Sequence, residues 1–523
     1  MGLANSIIDP MRKSSTSLAR LARASWLPLA VGALALWLYV STAAPGLSWA
    51  NEGADGGDLI AAGMNWGVPH PSGYPTYCLL ARLYALLPLG PIARRFNLFS
   101  ATMAAAAVAL VCLCALRVLH RASGRDTWLD ASIGLATALA SAAGPTLWSQ
   151  STIAEVYTLH SFFFALCLYL GLRDDLLIHS RHWSVLGLAF GLGLGVHLTL
   201  LLMLPGLAFL VWQKRTRRHL LALAAGTSLG LAIYIYLPLA ARGHPLVNWG
   251  DPSSWSGFWW VLSGKLYHSY AFALPPGHLL SRVGAWARLL VQQYTVVGVA
   301  LAALGFGSWI EQRWSNWALA TGVTFIAYTV YAIAYDAADS YLYLIPTYLV
   351  AALWMAEGAR TIALDLMGGR PERRGIGIAL SLVVLTAIPF YSTLRHYDRL
   401  DVSDDRTAEE WTDEVLGQLP EGALLITSQD RHTFALDYAQ WVEQRRQDLL
   451  VIDGDLIRYD WYIAQINQRH HSSGELETRA SLAQLISTNL GKRAVYLATP
   501  REDVTSTYRT NRCGGLWRII GQN

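Results

Sequence analysis

Apolar residues in this chain run in long blocks separated by short polar turns. The blocks cover about 26–44, 96–119, 127–148, 156–172, 183–197, 198–212, 219–240, 286–310, 315–335, 341–358 and 375–391. A bilayer core takes about 20 apolar residues of helix, fewer where a helix is short or broken. The pattern predicts eleven transmembrane helices. Gly191, Gly193 and Gly195 before His197 predict a break between the fifth and sixth. A shorter stretch, 74–89, carries Arg82 and reads as an interfacial or re-entrant helix.

After residue 391 the pattern changes. Charges become frequent and the apolar runs shorten. GALLITSQD (422–430), DLLVIDGD (448–455) and RAVYLAT (493–499) read as strands, and 432–446 and 479–490 as helices. Strands alternating with helices predict a small α/β domain. The organisation expected is a polytopic membrane domain over 1–391, followed by an α/β domain over 392–523.

Charge then assigns sides. Arg and Lys cluster at 12–23, 117–125, 173–181, 214–218, 313 and 360–374, all on one side of an eleven-span count. Arg94 and Arg95 are the exception. Positive clusters stay cytoplasmic, so the N-terminus is expected inside and the C-terminal domain outside. The basic flank before 26–44 also suits a signal peptide, but no small-residue cleavage site precedes Asn51, and the run is read as a retained span.

Composition agrees. Only 15% of the 523 residues are charged and 53% are hydrophobic, against about 25% charged in soluble domains. A disordered chain, a disulfide scaffold and an ordinary cytosolic enzyme are excluded. The net charge of +4 comes from scattered Arg, not a stripe, so no nucleic-acid partner is expected. The five cysteines show no pairing or metal spacing. Neither GxxxxGK[ST], GxSxG nor HExxH occurs.

The candidate chemistry sits in the outer loops. The first, 45–95, contains NEGADGGDLIAAGMNWGVPHPSGYPTY, with Glu52, Asp55 and Asp58 among glycines and with His70 and Tyr74 in a stiff turn. Asp58 is placed to cap the following helix. Carboxylates at a membrane surface act as general base towards a hydroxyl or hold a divalent ion. Glu155, Asp336 and Asp339 stand at other outer span mouths, Arg95 and Asn97 are placed to meet a lipid phosphate, and His197 lies among apolar residues. The fourth outer loop, 241–285, carries Trp249, Trp255, Trp259, Trp260, Tyr267 and Tyr270 beside Arg242, Lys265 and His268. Its aromatics either stack on sugar rings or anchor at the interface, and its cations suit a phosphate.

Residues 55–101 resemble the opening signature of a bacterial membrane family that groups with the eukaryotic transmembrane protein O-mannosyltransferases. The signature is D-x-G-[ED]-L, then H-P-x-G-Y-P, a leucine-rich helix and R-x-N-x-x-S. WSQSTIAEVYTLHSFFFAL (148–166), GLGLGVHLTLLLMLPGL (191–207), YLYLIP (341–346) and residues 420–457 fit the same family. The resemblance implies a GT-C fold in the bacterial inner membrane and a polyprenyl-phosphate sugar donor. It implies a first-loop acid, Asp55 or Asp58, near the reaction centre, with Glu155 helping to build the site.

The expected function is an inverting glycosyltransferase. It passes a mannose or another hexose to a hydroxyl of a protein, lipid or glycan on the extracytoplasmic face. The expected substrate-binding residues are His70, Tyr74, Arg95, Asn97, His197, Arg242, Lys265, His268, Asp336 and Asp339. A divalent cation is an open alternative for the carboxylates. The rivals are a transporter or flippase of a lipid-linked sugar, and a non-catalytic envelope assembly protein. A transporter places its ionisable groups near the bilayer midplane, whereas here they gather at the outer mouths.

Overall fold

A computed structural model describes residues 26–123, 127–173, 175–311, 315–366, 374–469 and 481–523. The basic flank at 12–23, Arg313 and residues 367–373 of the last basic cluster lie outside the described residues.

Helices stand over every apolar block. Among the described residues, five are long and apolar enough to cross a membrane by length and composition: Ile92–Arg121, Arg217–Arg242, Pro276–Glu311, Asn316–Ala334 and Ala338–Leu364. Leu27–Ser41, Tyr157–Leu172 and Leu198–Val211 are shorter apolar helices. The 127–148 block is not one helix: Trp128–Ala142 ends at Gly144, and Pro145 opens a second helix, Pro145–Ser151. Proline at a first helical position loses no bond, because that N–H has no partner in any helix. The Ser180–Leu194 helix stops at Gly195, and His197 caps the next turn by accepting from the Thr199 N–H. Pro75–Ala85 is a separate helix of 11 residues.

Small residues let helices approach. A Cβ on Gly187 would lie 2.2 Å from the Leu223 carbonyl oxygen, and one on Gly191 would lie 2.5 Å from that of Thr227. Gly226 and Gly230 repeat the same spacing on the facing helix, Arg217–Leu231. This is the small-xxx-small contact that packs helices where lipid supplies no hydrophobic drive. The Ile345–Leu366 helix is central, packed on Leu279–Glu311, Trp128–Ala142, Ile92–Ser123 and Arg374–Leu400.

The C-terminal part holds a five-stranded sheet: β1 (Leu424–Thr427), β2 (Leu450–Asp453), β3 (Val495–Leu497), β4 (Tyr508–Cys513) and β5 (Leu516–Gln522), in the order β2-β1-β3-β5-β4. β1 pairs in parallel with β2 and β3, while β5 runs antiparallel to β3 and β4. Sequence pattern alone predicts three strands. The missing two form a hairpin at the edge, where polar residues such as Arg509, Asn511, Arg512 and Arg518 obscure the alternation. The first three strands are buried throughout and read as apolar runs.

This domain is seated on two loops of the helical domain. Its Asp430–Trp441 helix lies on the first loop, and the contact requires glycine: a Cβ on Gly57 would sit 2.2 Å from the Phe434 carbonyl oxygen. Trp49 Nε1 donates to the Arg431 carbonyl at 3.1 Å, and Asn65 Nδ2 to that of Trp441 at 3.2 Å. Gln465 and Gln468 donate to the carbonyls of Leu246 and His244 in the fourth loop. Trp249 and Trp260 both pack on Trp461, at 5.4 and 5.8 Å between ring centroids.

Candidate active site

The first loop folds its acidic residues to one end of the bundle, beneath the C-terminal domain. Two successive residues, Asn51 and Glu52, adopt positive φ, 56° and 67°, ahead of the helix that begins at Gly56. Asn51 is held there by its Nδ2 bond to Thr152 and by Gln150 Nε2 on its carbonyl. Backbone in a sparsely populated region persists only where its surroundings determine it, and such positions cluster at functional sites.

Asp58 does not cap its helix, contrary to the sequence expectation. The cap position falls on Asp55, which makes no side-chain capping bond. Asp58 is wholly buried, and both its oxygens are engaged. Oδ2 accepts the His70 backbone N–H at 2.9 Å and lies 2.7 Å from His70 Nδ1, while Oδ1 accepts from Trp249 Nε1 at 3.0 Å. Asp55 keeps 40% of its side chain exposed, with Oδ2 3.4 Å from His70 Nε2. The two acids that sequence left as alternatives therefore differ: one is enclosed, the other opens to solvent.

Around them the environment is apolar and aromatic. Phe434 lies parallel to the His70 ring at 6.3 Å, with Tyr74 edge-on at 5.0 Å and Tyr267 at 6.5 Å. Partial desolvation among its neighbours raises the Asp55 pKa above the ordinary carboxylate value, with His70 opposing and Asp58 adding to the rise. Burial also opposes charge on His70, but Asp55, Asp58 and Glu155 outweigh it and hold the imidazole at about 9. Asp58 and Asp55 thus face its two ring nitrogens.

Glu155 is buried at the same mouth. Its Oε2 accepts only from the Val156 N–H, at 3.3 Å, while its backbone is tied to Ser100 Oγ. Desolvation, then the charge of Asp55, raises its pKa well above the usual range. Asp339 is raised for the same two reasons. Asp430, on the C-terminal domain, faces this end too; its carboxyl is pushed up to about 7 by burial, then by Asp55 and Asp453. Four carboxyl groups from three loops and the C-terminal domain thereby share one field. Among the described residues, no three His, Cys, Asp or Glu side chains group closely enough to hold a metal ion.

Other expected site residues are placed differently. Arg95 donates to the carbonyls of Ala85 and Gly90, at 2.7 and 2.8 Å, and Asn97 is buried with its amide on Ala44 and Gly46. Both pin backbone. Arg242 and Lys265 are exposed, and His268 meets the Ser263 carbonyl at 2.9 Å. Asp336 lies 3.9 Å from Arg282, which also holds Ser340 and the Ala337 carbonyl. His197 stacks on Tyr74 at 6.2 Å and abuts His160 and Tyr343. Of the aromatic loop, Trp249 and Trp260 bind the C-terminal domain, a role sequence did not suggest, whereas Trp255 is 75% exposed. Phe434 and Asp430 were also missed. No local spacing links them to a loop some hundreds of residues earlier.

Two family models match the chain: the Protein O-mannosyl-transferase TMEM260 N-terminal domain over residues 55–220, and the TMEM260-associated domain 2 over residues 408–510. The first begins at Asp55, and the second spans the helix that covers His70. This chain is similar to the TMEM260 protein O-mannosyl-transferases. It is 25% identical over 449 residues to Protein O-mannosyl-transferase TMEM260 of Mus musculus, covering 79% of this chain and 61% of that protein. It is 20% identical to the Dictyostelium discoideum protein of the same name, covering 91% and 64%. The chain thus spans less than two thirds of the length of these TMEM260 proteins. In fold it is similar to ArnT from Cupriavidus metallidurans, solved bound to undecaprenyl phosphate: the TM-score is 0.54 at 12% identity, covering 94% of this chain and 97% of that one. The apo structure of the same protein gives 0.57 at 15% identity, covering 95% and 98%. The chain thus shares the fold of ArnT and carries several apolar helices long enough to cross a membrane.

Proposed function

We propose that the chain is an integral-membrane glycosyltransferase. It moves a hexose, mannose or another, from a polyprenyl-phosphate donor to a hydroxyl of a protein, lipid or glycan, with inversion. The observation that carries this reading is the acidic end of the bundle, where Asp55, with 40% of its side chain exposed, stands beside His70 and below the C-terminal domain. The names of the TMEM260 relatives support the reaction class, and the undecaprenyl phosphate in the ArnT structure supports a polyprenyl-phosphate donor.

Asp55 is the base, because among the acids touching His70 it alone is open to an incoming hydroxyl. The acceptor oxygen attacks the anomeric carbon, its proton passes to Asp55, and the polyprenyl phosphate leaves with the electron pair of the broken C–O bond. Glu155 positions the acceptor. Arg242 and Lys265, exposed on the aromatic loop, serve the donor phosphate better than Arg95 and Asn97, which are spent on backbone carbonyls. No step is routed through a metal.

The membrane is the bacterial inner membrane, with the N-terminus cytoplasmic and the C-terminal domain outside. Cysteine labelling from outside should reach position 447 and not 215. Reconstitution in liposomes with polyprenyl-phosphate mannose and, separately, a nucleotide-linked mannose tests the donor. Transfer is expected from the lipid-linked sugar alone; transfer from the nucleotide sugar with no lipid intermediate would contradict the proposal.

A further inference from the structure

The assignment of Asp55 as base leaves Asp58, His70 and Trp249 without a task. Their geometry is directional. Asp58 fixes His70 twice, through the backbone N–H and through Nδ1, and is itself fixed by Trp249. With Phe434 parallel to the ring and Tyr74 against its edge, the imidazole is confined. With Nδ1 tied to Asp58, Nε2 remains, 3.4 Å from Asp55 Oδ2.

We infer that Asp58 and Trp249 form a clamp that sets His70 against Asp55, and that His70 is the positioning residue that keeps this base ionised. The inference rests on the proposed role of Asp55. During the reaction His70 keeps both its protons. The acceptor's proton goes to Asp55, whose neutralisation weakens the contact until the proton is lost to water. The groups facing His70 are Asp55 and Asp58 from the first loop and Tyr74 from the next helix. Glu155 faces it from the turn before Tyr157, Tyr267 from the aromatic loop and Asp430 from the C-terminal domain. His197 lies beyond Tyr74. Acids outnumber the cation, so the clamp holds the imidazolium form.

Two readouts test this on the full chain in lipid nanodiscs. The first needs no substrate. Nitrogen-15 histidine labelling, with His70 assigned by difference from His70→Gln, should show both ring nitrogens protonated at pH 7 and a neutral ring in Asp58→Asn. A neutral His70 in the unaltered protein would overturn the inference. The second is the pH profile of mannose transfer from polyprenyl-phosphate mannose into the protein fraction of envelope vesicles. An acid next to a cation is held ionised over about one to three further pH units. The acid limb should therefore move up by that order in His70→Gln, and in the same direction by less in Asp58→Asn. A uniform loss of rate with the limb unmoved would overturn the inference. Should His70→Gln fail to fold, Asp58→Asn answers the second question alone. Full activity in Asp55→Asn would instead sink the assignment of the base, leaving the first readout to judge the clamp.

Discussion

The two ends of the helical bundle handle charge in opposite ways. At one end Arg117 and Arg173 share Asp175, with contacts of 2.7 and 2.9 Å, and Arg121 lies over Trp317. Asp175 is 46% exposed, and its hydrogen bonds to Arg173 hold it at about 2, below the ordinary value. At the other end the carboxyl groups of Asp55, Glu155, Asp339 and Asp430 are raised, with desolvation as the first cause each time. Charges that serve topology remain solvated and paired. Charges at the recess are crowded among aromatics, with one cation among several acids, at a cost in stability that packing elsewhere offsets. Perturbed titration in a cleft marks candidate chemistry, and the raised acids around Asp55 fit that description.

The largest stability effect should come from removing the buried partner. Asp58→Ala removes the acceptor of both the His70 and the Trp249 bonds and leaves the Trp249 N–H buried and unpaired; breaking a buried pair costs about 3–5 kcal/mol. Thermal unfolding in detergent should show a large drop, or no folded protein. Next comes Gly57→Ala. The added methyl group meets the Phe434 carbonyl, and overpacking costs about 1–3 kcal/mol. Limited proteolysis should then release or nick the C-terminal domain first, while the helical domain stays protected.

The pH response sharpens the contrast further. His70 has a folded pKa of about 9, above its ordinary 6.5. Its contribution is fully present below pH 6.5 and is lost as pH rises through about 9. Asp175 has a folded pKa of about 2, below its ordinary 3.8. Its contribution is present above 3.8 and is lost as pH falls through about 2. The melting-point difference between the unaltered protein and His70→Gln should shrink in alkali, and the difference from Asp175→Asn should shrink in acid. The smallest effect is that of Asp175→Asn near neutrality. An exposed pair is worth about 0–1 kcal/mol after solvent screening, and transfer should be unchanged.

Sequence makes these two ends unequally legible. The helices are plain because each apolar block is long, and the positive clusters between them carry their own topological meaning. The first-loop acids are visible because Asp55, Asp58 and His70 lie within one short segment. What joins them is not visible. Trp249 reaches Asp58 across 191 positions, and Phe434 arrives from a separate domain. The function of Gly57 is legible only when the facing helix is present. The edge hairpin of the sheet was missed because half-exposed strands rich in Arg and Asn lack an apolar signature. The buried contact of Arg360 with Asp130 and Glu357, at 3.8 and 3.4 Å, was missed as well. It places ionisable groups inside the bundle, where the sequence reading expected them only at the mouths.

One comparison reaches the central claim, that Asp55 at the recessed end performs the chemistry. Asp55→Asn and Asp175→Asn should be reconstituted at equal amounts in liposomes carrying polyprenyl-phosphate mannose, with folding checked by thermal unfolding. Loss of a general base lowers the rate by about 10²–10⁴-fold. The account predicts that loss for Asp55→Asn in protein that still folds, and an undiminished rate for Asp175→Asn. Near-normal transfer by folded Asp55→Asn would contradict it.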